Sequence, residues 1–355
     1  MSKLSGARYN VPAVPRAEID RWPIREAGLP ARVVNTATRL KLQTVADLRN
    51  LPPERLLGER RFGRRSLDAT MRFFETCAEL EAGKIGFRTI REPMDRVLAP
   101  EVWQVLVLRY GLERPDLDAS RQYFTLQAIA NRDDVTRERV RQVVEIGLAG
   151  LGQRLLTAFL EPFEKMLMDI PRAQGGIAEA DAYADLVGHP AMAGLNPAAV
   201  ALLLCDAHPQ SWTYFGRAFI LAPDETVKDF AHGLVRRLRR RQQPTPWAEV
   251  LAFARRHRLA GHLARLESTL PLLLSHLDGV IMMKDRSCLA SERLGDLLDT
   301  LIRELGGRAH YTDIADRFNE RVQPQEQRSA SSILRLLIAS RRFRTTDLPG
   351  CYGTR

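Results

Sequence analysis

Apolar positions recur at helical spacing through most of the chain, in short segments separated by Pro, Gly and polar clusters. Between positions 16 and 85 the helical segments fall at 24–27, 31–40, 45–51, 53–57 and 66–80, which predicts a compact helical domain. Residues 1–15 carry basic residues and prolines without periodicity and read as a flexible arm. A second unit follows from 86 to 163. Its first amphipathic stretch turns Val102, Val105, Leu106 and Leu108 toward one face. Thr125 can cap a short helix with Leu126, Ile129 and Ala130 inward, Asp133 and Asp134 make a turn, and Thr136 can cap the next helix. Two short helices across a tight turn predict a helix-turn-helix.

Beyond Pro162 the helical pattern gives way three times to short β-like stretches, at 213–223, 278–290 and 341–354. Each follows about 50 residues of helical pattern, a repeat that suggests tandem winged helices over 164–226, 227–292 and 293–355. The last is the clearest, with helices starting at Thr312 and Ser329 and then two strands joined around Pro349 and Gly350. The expected fold class is therefore mainly α, with short β wings.

On the helix after Thr136, Arg137 and Arg141 are spaced at i, i+4, as are Glu138 and Gln142, so the four share one face near its N-terminus. Val140, Val143 and Val144 take the other face. In the DNA major groove Arg grips guanine bidentately, Gln pairs with adenine and Glu accepts from cytosine. The alternative is an ordinary solvated charged helix.

The string from Leu106 to Glu113, followed by Phe124 to Val144, resembles region 4 of the sigma factors that direct bacterial RNA polymerase to the promoter −35 element; Thr125 to Gln142 aligns without a gap. The resemblance implies Arg137, Glu138, Arg141 and Gln142 as base readers, with Thr136 and Arg139 near the backbone. Asp133 departs from it, standing where the family has an apolar residue, and so does a polar insertion around 114–122. No aromatic-rich segment of the promoter-melting kind occurs, so the expectation is a reading head rather than a complete sigma factor.

The stretch from Gly28 to Leu67 resembles the carboxy-terminal domain of the RNA polymerase alpha subunit, over roughly 60 residues from Ile24 to Glu81. That family is built on a helix-hairpin-helix and binds the minor groove. Gly63 would let a phosphate approach the backbone, Ser66 could cap the following helix, and Arg64 and Arg65 add charge there. The resemblance implies Arg32 and Asn35 on a groove-facing helix and Gly63, Arg65 and Ser66 on the hairpin. Glu59 departs from the family's apolar or small residue. The final module resembles winged helices of the HARE type; Arg335, Arg341, Arg342 and Arg344 would fall on its second helix and wing, where they could meet DNA phosphate or serve a protein-binding module.

Composition narrows the function class. The chain has 355 residues, 45% hydrophobic and 27% charged, with 53 Lys and Arg against 43 Asp and Glu, a net charge of +10. That excess points to a polyanionic partner. The run Arg236, Arg237, Arg239, Arg240, Arg241 reads either as a solvated helix face or as sequence-independent phosphate neutralisation. The four cysteines lack metal spacing and suit a reducing cytosol, and no apolar run is long enough for a signal peptide or a membrane span. His257 and His262 miss the i, i+4 metal spacing, Asp181 and Asp185 have no completing ligands, and no phosphate-loop, dinucleotide or serine-elbow motif occurs. The expectation is a non-enzymatic, cytoplasmic, nucleoid-associated regulator of transcription without cofactor or metal. Its partners would be double-stranded DNA and RNA polymerase. The alternatives are a polymerase adaptor or decoy acting through protein contacts, or a DNA-targeting or DNA-coating subunit.

Overall fold

The structure is a computed structural model that describes residues 8–114, 124–215, 218–240, 245–264, 266–275, 280–282, 288–290, 294–322, 327–340 and 342–354. It is mainly helical with small antiparallel sheets. The chain forms two compact units, one taking the chain up to Ile170 and again Glu179–Pro209, the other Pro171–Ala178 and the chain from Gln210 onward.

In the first unit the supposed arm is ordered from residue 8. Strand β1 (Tyr9–Asn10) pairs antiparallel with β2 (Gly86–Phe87), Val11 is buried, and the Tyr9 ring lies 5.0 Å from that of Phe163. Two paired residues leave no periodicity to read, which is why the pattern missed them. Helices α1 (Arg16–Ile19), α2 (Ala31–Arg39), α3 (Val45–Arg49), α4 (Pro53–Leu57) and α5 (Arg64–Glu81) follow. The segment 24–27, expected as helix, is a series of turns. Its backbone bonds run across the chain instead, with Ile24 N–H donating to the Gln43 carbonyl at 3.0 Å and Val45 N–H to that of Trp22 at 3.0 Å. Arg49 ties these pieces together, reaching Asp20 at 3.4 Å and Glu81 at 3.3 Å while its guanidinium covers the Phe74 ring. Beneath it, burial pushes the Cys77 thiol up to about 12, so this cysteine stays protonated and unreactive.

Next come α6 (Arg91–Val97), α7 (Pro100–Tyr110), α8 (Leu126–Asp133), α9 (Arg137–Leu151) and α10 (Arg154–Ala173), then short 3-10 turns and α11 (Pro197–Ala207). Helix α11 is buried from Pro197 to Cys205 and lies against both α7 and α9.

The second unit holds β3 (Ile177–Glu179), β4 (Thr213–Phe215) and β5 (Ala218–Ile220) in the order β3-β5-β4; the last residue of β3 belongs to the first unit. Then follow α12 (Asp224–Arg240), α13 (Trp247–Arg256), α14 (Leu266–Ser275) and the pair β6 (Val280–Met282) and β7 (Cys288–Ala290). The chain continues with α15 (Leu294–Glu304), β8 (Arg308–His310), α16 (Tyr311–Arg321), α17 (Ala330–Ala339), β9 (Phe343–Thr345) and β10 (Cys351–Thr354), the strands ordered β8-β10-β9. Tyr352 sits mid-sheet, opposite Ala309 on one side and Thr345 on the other. The pattern showed β9 and β10 but not β8, whose three residues are hidden behind two glycines. Leu298, Leu301, Ile314, Phe318, Ile333 and Leu337 form the core of this last segment.

The crossing of α7 and α9 depends on Gly147. A Cβ there would lie 2.9 Å from Leu106 Cδ1 and 3.0 Å from Val102 Cγ1. A side chain would have to push the two helices apart in a region that is closely filled. Gly147→Val is expected to destabilise the protein by about 1–3 kcal/mol, seen as a lower thermal midpoint; an unchanged midpoint would show that the crossing tolerates spreading.

Candidate nucleic-acid interface

Helices α8 and α9 are each started by a threonine. Thr125 Oγ1 accepts from Ala128 N–H at 3.1 Å and Thr136 Oγ1 from Arg139 N–H at 3.1 Å. Between them Asp134 takes the left-handed conformation, φ 49°, and Val135 N–H returns to the Ala130 carbonyl at 3.0 Å. Short polar residues tolerate that backbone better than most, so the turn is locally encoded. Ile129, Ala130 and Val140 fill the angle between the helices, flanked by Val105, Leu108, Phe124, Leu126 and Val144. Arg109, half-buried, donates to the Phe124 carbonyl at 2.7 Å and so returns the chain to α8 after the polar insertion, of which 115–123 lie outside the described residues.

This packing leaves Arg137, Glu138, Arg139, Arg141 and Gln142 exposed together at the N-terminal end of α9, with the Thr136 side chain occupied as its cap. Asp133 is exposed as well and lies 3.9 Å from Arg132; it faces solvent, so the departure from an apolar residue leaves the small core intact. This exposed face is internally paired. Arg141 donates to Glu138 at 2.9 Å and 2.6 Å and also to Glu145, while the Gln142 amide reaches Glu138 at 3.4 Å. The Arg141 hydrogen bond lowers the Glu138 carboxyl below its usual range, and the same pairing raises Arg141. Spacing alone brought Arg137, Glu138, Arg141 and Gln142 onto one face; the part played by Glu145 was not read, although its i+4 relation to Arg141 was available.

Behind this face, Tyr110 on α7 donates to Asp206 on α11 at 2.6 Å, and burial raises its phenol. At the far end of α9 His208, the residue closing α11, lies within 3.0 Å of Glu164 through Nδ1 and 3.3 Å of the Leu151 carbonyl through Nε2. Both ring nitrogens thus face acceptors, an arrangement that suits the imidazolium.

In the first domain, Arg32 and Asn35 are exposed one turn apart on α2. Ser66 does not cap α5. The helix begins earlier, at Arg64, with Gly63 as its N-cap; Ser66 is buried in the first turn, where its carbonyl accepts from Thr70 Oγ1 at 2.9 Å. Gly63 has extended backbone, and a Cβ there would meet nothing within 4 Å, so no internal contact requires a glycine. Arg64 and Arg65 are exposed beside it. Glu59 lies 3.8 Å from Arg39, which also donates to the Arg60 carbonyl at 3.0 Å, so the carboxylate helps hold the loop between α4 and α5 to α2.

The basic run divides. Arg236 and Arg240 are exposed on α12, whereas Arg237 is half-buried and donates to Glu249 on α13 at 3.0 Å. Arg239 belongs to the same helix, and Arg241 and Arg341 lie outside the described residues. Arg335 and Arg344 are exposed on α17 and β9, and the exposed Arg342 runs alongside Gly295 of α15. Among the described residues no three His, Cys, Asp or Glu side chains are grouped to hold a metal, and no single helix is long and apolar enough to cross a membrane. No family model, no curated protein and no solved structure matches the chain.

Burial pulls the His208 pKa down, but the Glu164 hydrogen bond and charge and the Leu151 carbonyl outweigh it, leaving the value above the ordinary 6.5. The stabilisation is then complete below pH 6.5 and is lost as pH rises through the raised value. The stability advantage of the native protein over His208→Gln should therefore shrink on going upward from pH 6.5, measured by denaturant unfolding. A constant difference would show that the imidazole does not titrate in this clamp.

Proposed function

We propose that the chain is a sequence-specific regulator of transcription that binds double-stranded DNA. In this reading α9 enters the major groove and reads a −35-like element, and the domain over 16–85 takes an adjacent minor groove. The observation that carries it is the exposed set Arg137, Glu138, Arg139, Arg141 and Gln142 at the capped N-terminus of a helix buttressed from behind by α7 and α11. A helix end of this kind presents its positive dipole and base-reading side chains together. The likenesses to sigma region 4 and to the alpha carboxy-terminal domain support the same reading, and make RNA polymerase the natural partner at the nucleoid. Gly63, Arg64 and Arg65 would meet a phosphate where the backbone is open to close approach, with Arg32 and Asn35 on the groove side.

The remaining modules support a different share of the work. The order α15, β8, α16, α17, β9, β10 with strands β8-β10-β9 supports reading the last module as a winged helix, and the succession α12, α13, α14, β6, β7 supports the same reading for the one before it. The stretch 164–226, read in the same way from its pattern, is divided between the two units. In each, the third helix would be the DNA reader, yet α11 is buried and apolar, α14 buries Leu266, Leu270, Leu273 and Leu274, and α17 exposes Ile338 at 67%. Burial of α11 and α14 favours packing, and the exposed apolar Ile338 beside Arg335 on α17 favours protein contact. That observation keeps open a second reading, an adaptor or decoy on polymerase.

Arg141→Ala is expected to cost about 1–3 kcal/mol on the preferred site and to relax base choice at one position, measured by equilibrium binding. Replacing Arg236 and Arg240 should instead weaken all DNAs alike and reduce the salt slope by roughly one unit per lost phosphate contact. Equal losses from Arg141→Ala on every sequence would remove α9 as the reader. For the adaptor reading, association with polymerase should survive nuclease treatment; dissociation on nuclease treatment rules it out.

A further inference from the structure

We propose that Glu145 is a specificity-determining positioning residue, which together with Glu138 holds the Arg141 guanidinium between two carboxylates until a base edge replaces them. The inference rests on the reading of α9 as a major-groove helix. Its geometric basis is that all three guanidinium nitrogens of Arg141 are engaged within the helix. Nε and one terminal nitrogen bond Glu138 at 2.9 Å and 2.6 Å, and the other terminal nitrogen bonds Glu145. Glu138 lies one turn before Arg141 and Glu145 one turn after it.

The three side chains are exposed, at 48% for Arg141, 58% for Glu138 and 57% for Glu145. Exposed pairs of this kind add little to folding, so the arrangement matters chiefly for what competes with it. A phosphate also offers the fork two oxygens, but it sets a negative charge beside the two carboxylates. The O6 and N7 edge of guanine offers a planar pair that matches the fork. Two carboxylates beside the arginine also repel the phosphates of any DNA, a cost that only a matched base edge offsets. Discrimination built from such repulsion is lost when the repulsive element is removed.

The test compares the full chain with Glu145→Gln, a neutral side chain of the same shape. Binding is measured on the preferred duplex and on duplexes changed at the base pair that Arg141→Ala identifies. Glu145→Gln should lower the ratio of preferred to changed affinity about 5-fold, and should leave the ratio unaltered in an Arg141→Ala background. Equal tightening on all duplexes, with the ratio preserved, would overturn the proposal and leave Glu145 as a bulk charge. Should the native protein show no base preference, the major-groove reading itself fails. The brace is then judged on the DNA-free protein by exchange of the Arg141 Nη protons in nitrogen-15 NMR. Slower exchange in the native protein than in Glu145→Gln supports the brace, and equal exchange overturns it.

Discussion

Helix α9 can lie as close to α7 as it does because position 147 carries no side chain, so that Val102 and Leu106 fill the space a Cβ would take. From that crossing the rest of the first unit follows. Helix α8 is set across α9 by Ile129, Ala130 and Val140, and α11 closes the far side of both α7 and α9. Polar links then lock the layers, Tyr110 to Asp206 between α7 and α11, and His208 to Glu164 and Leu151 at the base of α9. A helix held on this many sides can present a short exposed end with little loss of order when it meets a ligand, the preorganisation that favours specific binding.

Charge is distributed by function more than the net excess suggests. Arg39, Arg49, Arg109 and Arg237 are spent within the fold, on Glu59, on Asp20 and Glu81, on the Phe124 carbonyl, and on Glu249. Arg137, Arg139, Arg236, Arg240, Arg335 and Arg344 are exposed. A run of arginines on a helix thus separates by face: Arg236 and Arg240 share one side of α12 while Arg237 turns inward to α13. The same logic divides the chain's apolar helices, since α11 and α14 are consumed by burial and α17 keeps Ile338 outside.

What could be read along the chain was whatever local chemistry decides. The threonine caps at 125 and 136, the tight turn at Asp134, the inward valines and isoleucine, and the outward face of α9 all depend on neighbours within a few residues, so spacing revealed them. The α5 start was misread by local reasoning, because Ser66 has a capping side chain but Gly63 and the two arginines begin the helix a turn earlier. The ordered residues 8–15 and the turns at 24–27 were also missed, for their hydrogen bonds go to partners tens of residues away.

By itself, then, the sequence determined the helical class, the positions of most helices and which side chains share the exposed face of α9, because helix periodicity and capping are short-range properties. Only the tertiary structure decided which arginines are committed to ion pairs, that Glu59 and Asp133 are accommodated, and that α11 supports α9 from behind. Each of those depends on which distant side chains share a surface, and that is set by the closeness of helix crossings such as the one at Gly147.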